Sequence, residues 1–255
     1  MYELLPVPGS KIAVVIPARF ASERLPGKPL AEIAGRPMIL HVVERCRRAR
    51  GIAELVVATD DARVVEAVRP SGVRVELTSA ECPSGTDRVA EVAKRLDADA
   101  FINVQGDEPL LEPGAVEELA ACLRTGIPMA TLCRPARDGE DLENPALVKV
   151  VLDHRGDALY FSRSPIPCYR DGRPKNALSF VHVGIYGYQR DFLFQFAALP
   201  QGRLERAERL EQLRALEHGH KIRVLPTPYN SMSVDTAEDL ARVRELVEGS
   251  ERVIH

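Results

Sequence analysis

The stretch IAVVIPARFASERLPGKPL, Ile12 to Leu30, decides the fold. Its opening run, Ile12–Ile16, is apolar without interruption. Such a run reads as a strand buried on both faces. An α/β protein commonly turns from a strand like this into a helix. This chain instead places Arg19, Arg24, Lys28, two prolines and a glycine there, which no regular element accommodates. The loop follows the carboxyl end of a strand, the place where open parallel sheets bind ligands. Cations around a glycine-bearing turn suit a polyanion, because ammonium, guanidinium and backbone N–H groups can surround phosphate oxygens together. It is not a Walker loop, since Lys28 is followed by Pro29, and no GxGxxG fingerprint is present. Taken alone, the loop is equally well a solvated turn with surface charges.

Outward from it, strands and helices alternate. Met38–Arg50 has helical spacing at Ile39, Val42, Val43 and Cys46, and Gly51 can stop it. ELVVATD is a second strand, Asp61–Val68 a short helix and Val73–Leu77 a short strand. SGTDRVAEVAKRL puts Val89, Val92, Ala93 and Leu96 on one helical face. Ala100–Val104 is a strong strand, Pro113–Leu123 a helix opened by proline, and MATLC a strand. The pattern predicts an α/β fold with a mostly parallel central sheet covered on both faces. From about Asn144 it changes to PALVKVVLD, ALYFS and SFVHVGIYGY, strand-like runs that predict a small antiparallel insertion. Arg163–Asn176 reads as an exposed loop. Helices follow over Leu204–His218 and Thr236–Glu248, with a strand near Lys221–Leu225. No linker divides the chain, so residues 1–255 are expected to form one domain.

The bulk numbers exclude several classes. The 255 residues are 45% hydrophobic with net charge -3, so no global basic surface for nucleic acid is indicated. Cys46, Cys82, Cys122, Cys133 and Cys168 are scattered singly, which suits reduced thiols. No apolar stretch approaches transmembrane length, and the first residues, MYELLPVPGSK, lack signal-peptide character. A soluble cytoplasmic protein without membrane partners is expected.

Two further strand ends carry chemistry. VATDD supplies Thr59, Asp60 and Asp61; VQGDEP supplies Gln105, Gly106, Asp107 and Glu108. A carboxylate at Asp107 could hold a divalent metal beside phosphates, or be a turn aspartate between Gly106 and Pro109. Asp235 offers a second carboxylate, but SVDTAEDL reads first as an N-cap at Asp235, with Glu238 completing a capping-box pattern. Ser84, Gly85 and Thr86 precede a helix, where hydroxyls and free N–H groups meet ligands or simply cap. Arg163 lies between two serines, and His182 and Tyr186 share one strand face. Glu211 and Gln212 fall on the helix with Leu204, Leu210, Leu213 and Leu216. Each of these also has an ordinary structural reading.

Taken in order from about Lys11 to Val247, these segments resemble the 3-deoxy-manno-octulosonate (Kdo) cytidylyltransferases. VVIPARFASERLPGKPLAEIAGRPMILHVVERC, PSGTDRVAEV, INVQGDEPL, ALYFSRSPIP, HVGIYGY, RLEQLRALEHGHKI and SVDTAEDL carry the likeness. HVGIYGY and LEQLR favour Kdo over sialic acid as the sugar. The resemblance implies a Rossmann-like nucleotidyltransferase that transfers CMP from CTP to Kdo with Mg2+, activating Kdo for lipopolysaccharide synthesis. It also implies a homodimer, built through a substrate and dimerisation subregion of roughly residues 134–190. Arg19, Lys28, Asp107 and Asp235 would be catalytic, with Asp107 and Asp235 holding the metal. Ala18, Arg19, Arg24, Lys28, Ser84 and Gly85 would bind the nucleotide. Gln105, Arg163, His182, Tyr186, Glu211 and Gln212 would bind the sugar acid. A related acid, 8-amino-Kdo or a nonulosonic acid, is the alternative substrate. Two segments depart from the family pattern: YNSMSVD lacks glycines often found there, and the loop Cys168–Ala177 is short and unusual.

Overall fold

The computed structural model describes residues 9–21, 24–172, 179–230 and 232–252. The first eight residues, read above as lacking signal-peptide character, and residues 173–177 of the unusual loop Cys168–Ala177 lie outside the described residues. In chain order the elements are β1 (Ile12–Pro17), β2 (Glu32–Ile33), β3 (Arg36–Pro37), α1 (Met38–Arg47), β4 (Glu54–Thr59), α2 (Ala62–Val68), β5 (Arg74–Leu77) and α3 (Gly85–Ala93). Next are β6 (Ala100–Asn103), α4 (Pro113–Leu123), β7 (Met129–Pro135), β8 (Lys149–Leu152), β9 (Ala158–Ser162) and β10 (Phe180–Gln189). The chain continues through α5 (Arg190–Ala198), α6 (Arg203–Glu208), α7 (Leu213–Glu217), β11 (Arg223–Pro226) and α8 (Ala237–Arg252).

The uninterrupted apolar run puts β1 at the centre of the main sheet, whose order is β11-β7-β10-β6-β1-β4-β5. β1 pairs in parallel with β4 and β6, and β4 with β5. Side-chain alternation sends Ile12, Val14 and Ile16 to one face, packed with α1, α2 and α4 residues such as Val42, Val64 and Leu119. Ala13 and Val15 go to the other face, with Val89 and Val92 of α3 and Phe196 of α5. Each fully buried Val or Ile there contributes about 1.5–3 kcal/mol, so the strand is fixed in register and its carboxyl end is held still. All five cysteines are unpaired, and no described helix is long and apolar enough to cross a membrane.

Three findings differ from the sequence reading. First, β10 is not peripheral. It lies between β6 and β7, antiparallel to both, and β8 and β9 hang from its first residues. Second, the helix expected over Leu204–His218 is broken. Arg209 takes a left-handed φ of 51°, and Arg163 donates to the Glu208 and Arg209 carbonyls, capturing acceptors that would otherwise continue the helix. Glu211 and Gln212 therefore sit in the joint between α6 and α7, not on a helix. Third, α5 went unread, because the aromatic run DFLFQF has strand-like composition.

A small feature places the end of the chain. Ala34 and Gly35 have φ of 46° and 70° between β2 and β3, as a tight hairpin requires. Ile33 and Met38 then pack with Val234, Leu240 and Val243. This cluster pins α8, and the residues just before it, beside the loop that follows β1.

Candidate active site

The cationic loop is shaped by Gly27. Its φ of 69° starts a single 3-10 turn, Lys28–Leu30. A Cβ at that position would lie 3.2 Å from Phe20 Cζ, so the ring sits directly on the glycine. The Arg63 guanidinium stacks 3.5 Å over the Phe20 ring. The Phe20 N–H donates to Asp60 (3.2 Å), and the buried Arg88 donates to the other oxygen of that carboxylate (3.0 Å). The loop is thus tied to the end of β4 and to α3.

Held this way, the Lys28 ammonium donates to Asp107 at 2.5 Å and to Asp235 at 3.1 Å. Arg24 pairs with the same Asp235 oxygen at 2.9 Å. Arg19 is exposed and makes no ion pair among the described residues. So residues 28, 107 and 235, far apart in the chain, meet beyond the carboxyl ends of β1 and β6. Gly106 permits the approach: a Cβ there would lie 2.8 Å from the Pro17 carbonyl oxygen and 3.4 Å from the Ala18 Cβ.

Asp235 is not the helix cap. Thr236 is: its hydroxyl accepts the Asp239 N–H (3.2 Å), and the Asp239 carboxylate accepts the Thr236 and Asp235 N–H groups (2.9 and 3.1 Å). The capping box lies one residue later than SVDTAEDL suggested and uses Asp239 rather than Glu238. This frees the Asp235 carboxylate for the cations. The preceding segment needs no glycine, because the Val234 N–H donates to the Asp107 carbonyl at 2.9 Å.

Glu108 is a residue that sequence reasoning left without a role. Its carboxyl is buried, one oxygen has no hydrogen-bond partner among the described residues, and burial beside Asp107 and Asp235 raises its pKa to about 8. In the metal-free protein this favours the neutral form near pH 7. VQGDEP carries no sign of this burial, since DEP reads as a solvated turn.

A second network runs from the start of α3. Ser84 caps the helix by accepting the Asp87 N–H, and its hydroxyl lies 2.6 Å from Glu211. Thr86 donates to the other Glu211 oxygen at 2.8 Å and accepts from Asn103 at 3.3 Å. Gln105 donates to Asn103 at 3.1 Å. A Cβ on Gly85 would lie 3.4 Å from Gln105 Oε1, so the helix start and the β6 end are in contact. Burial pushes the Glu211 carboxyl above its ordinary range, partly offset by the two hydroxyls. The buried Gln212 amide nitrogen has no partner among the described residues. A buried donor left open in this way is expected where a ligand completes the bonding. Thr86 belongs to the helix start that the sequence reading had named as able to meet a ligand; Asn103 was missed, and a polar residue ending an otherwise apolar strand was the available signal.

The remaining sequence candidates fall around this network. Ala18 is buried; its N–H donates to the Ala58 carbonyl, and its own carbonyl accepts from Thr59. His182 and Tyr186 lie on one face of β10 with ring centroids 5.3 Å apart. Arg163 directs its guanidinium to the Glu208, Pro145 and Arg209 carbonyls, and its carbonyl accepts from the fully buried Lys149. In this arrangement Arg163 braces the joint that carries Glu211 and Gln212.

A cation loop facing carboxylates at neighbouring parallel strand ends, with an open polar network beside it, is the arrangement of a nucleotidyltransferase. The cytidylyltransferase family profile matches residues 13–222. The 3-deoxy-manno-octulosonate cytidylyltransferase of Anaeromyxobacter sp. (strain Fw109-5) is 54% identical, over 95% of this chain and 99% of that protein. The one from Geobacter metallireducens is 52% identical over 92% and 97% respectively. A solved structure of CMP:2-keto-3-deoxy-manno-octonic acid synthetase complexed with CTP superposes with a TM-score of 0.89. It is 46% identical and covers 94% of this chain and all of that one. The chain belongs to the 3-deoxy-manno-octulosonate cytidylyltransferase family.

Proposed function

We propose that this protein transfers CMP from CTP to the anomeric hydroxyl of Kdo and releases pyrophosphate, using Mg2+. On this reading it works as a homodimer in the cytoplasm and supplies activated Kdo for lipopolysaccharide synthesis. The observation that carries it is the Lys28 ammonium held jointly by Asp107 and Asp235 at 2.5 and 3.1 Å.

That geometry suits a divalent cation, because two carboxylates already converge on one positive centre. No group of three or more His, Cys, Asp or Glu side chains able to hold a metal occurs among the described residues. An ion held by Asp107 and Asp235 would then take its other ligands from phosphate oxygens and water, the set Mg2+ favours. When bound, Mg2+ would neutralise the triphosphate and lower the pKa of the attacking hydroxyl.

The protein's own groups do the rest by placement. Arg19 is exposed, makes no ion pair among the described residues and would bind the phosphates. Lys28 and Arg24, released from the carboxylates, join it and stabilise the charge that develops on pyrophosphate. Ala18, Ser84 and Gly85 line the cytosine end. Gln105, His182, Tyr186, Glu211 and Gln212 surround the sugar acid, with Arg163 bracing the Glu211 joint. Contact between Gly85 and Gln105 sets the two substrates against each other, so the anomeric oxygen can attack the α-phosphorus in line with the leaving group.

A substrate panel tests this: four nucleoside triphosphates crossed with Kdo, 8-amino-Kdo and sialate, with pyrophosphate measured with and without Mg2+. Release is expected only with CTP, Kdo and Mg2+ together. Release with sialate in place of Kdo, or without added sugar acid, would overturn the assignment.

A further inference from the structure

β10 carries a bulge whose consequence reaches His182. Opposite β7 the register runs Val183 to Leu132 and then jumps to Tyr186 opposite Thr131, so Gly184 and Ile185 have no facing residue. Such a bulge takes backbone groups out of the ladder and leaves them in need of other partners. Thr131, fully buried, supplies one: its hydroxyl lies 2.7 Å from the Ile185 carbonyl and 3.3 Å from the Val183 carbonyl. The same hydroxyl lies 2.9 Å from His182 Nε2.

A hydroxyl has one proton and two lone pairs. The short contact to the Ile185 carbonyl is within the normal O–H···O range and claims the proton; the 3.3 Å contact is outside it. Thr131 can then meet Nε2 only as an acceptor, which requires a proton on Nε2. The opposite tautomer would withdraw the proton from Ile185 and leave a buried carbonyl without a donor. The imidazole is also neutral. It lies between the rings of Phe161 and Tyr186, at 5.1 and 5.3 Å, and burial lowers its pKa to about 3. Nδ1 is then an unprotonated lone pair, with no hydrogen-bond partner among the described residues.

We infer that Thr131 is a positioning residue that fixes His182 as its Nε2–H tautomer, so that Nδ1 accepts a hydrogen bond from a hydroxyl of the sugar acid. The second half rests on the proposed placement of His182 at the sugar site. It makes one contact of that site directional: a substrate hydroxyl must donate there, and a group that only accepts is rejected.

The test uses the full-length enzyme with 15N-labelled histidine, read by long-range proton–nitrogen spectra, with His182→Gln to assign the signal. In free enzyme His182 should show the Nε2–H pattern and no titration from pH 5.5 to 8.5. Kdo should shift the Nδ1 resonance. Thr131→Val should lose the single tautomer and raise KM for Kdo about tenfold, with kcat and KM for CTP within about twofold; Thr131→Ser should restore both the spectrum and KM. An Nδ1–H tautomer, or titration near neutral pH, in the wild-type spectrum alone would overturn the role of Thr131, even if the valine variant failed to fold. An Nε2–H tautomer whose Nδ1 signal ignores Kdo would instead overturn the substrate contact, and with it the placement of His182 at the sugar site. Equal KM changes for CTP and Kdo in Thr131→Val would mark Thr131 as merely structural.

Discussion

Replacing Lys28 with methionine should weaken the nucleotide and strengthen the metal. In the described structure the ammonium stands between Asp107 and Asp235, at 2.5 and 3.1 Å. Methionine keeps the length of the stem and removes the charge. Two carboxylates are then left facing one another. Unit charges about 4 Å apart interact by about 4 kcal/mol at an effective dielectric near 20. The Lys28, Asp107 and Asp235 side chains are 15%, 22% and 36% exposed, so solvent screens part of this. A net preference of about 1.5–3 kcal/mol for a divalent cation in place of the lost ammonium remains, or roughly 10- to 100-fold in affinity. The assay is Mn2+ titrated into nucleotide-free enzyme and followed by electron paramagnetic resonance of the unbound ion. Lys28→Met should bind Mn2+ more tightly than the wild type, while its kcat/KM for CTP falls at least about a hundredfold. If the variant binds Mn2+ no better, or more weakly, then the ammonium does not occupy the cation's position and the reasoning is wrong.

Other outcomes follow from individual contacts. Glu108 has its carboxyl raised from 4.5 to about 8, so its contribution to stability is complete below about pH 4.5 and is lost as pH rises toward 8. Metal-free wild type should therefore lose about 2–3 kcal/mol between pH 6 and 8 from this group, and Glu108→Gln should flatten the profile; parallel denaturation profiles would contradict it. Gly106→Ala would put a methyl 2.8 Å from the Pro17 carbonyl oxygen. It should cost about 1–3 kcal/mol and raise KM for CTP, as thermal melts and steady-state kinetics would show. Thr236→Ala removes the true cap of α8 and should cost about 1 kcal/mol in urea unfolding; if Asp235→Ala cost as much through helix loss, the cap assignment would be wrong.

The parallel half of the fold was legible because its signals are local. β1 is apolar without a break, α1 and α3 show helical periodicity, α2 and α3 are capped by Asp61 and Ser84, and α4 opens on a proline. β10 was placed in an insertion because a sequence shows that a segment is a strand, not which strands it will pair with. The break at Arg209 was hidden for the same reason: the groups that capture the helix end come from Arg163, far upstream. At the site, Lys28 and Asp107 stood out because charge beyond a buried strand needs a reason. Asp235 was half-read, since SVDTAEDL does announce a capping box but leaves its register open by one residue. Glu108, Arg88 and Thr131 were not legible. Their roles come from burial and from partners on other strands, and no spacing in the sequence encodes these.

The central claim is that Asp107, with Asp235, gathers the cation that makes CTP reactive toward the sugar acid. Pyrophosphate release by Asp107→Asn, with saturating CTP, Kdo and Mg2+ and with the fold verified by circular dichroism, tests it most directly. Turnover should fall at least about a hundredfold, on the scale of losing a main electrostatic group. A folded Asp107→Asn enzyme with near-normal, Mg2+-dependent turnover would contradict the account.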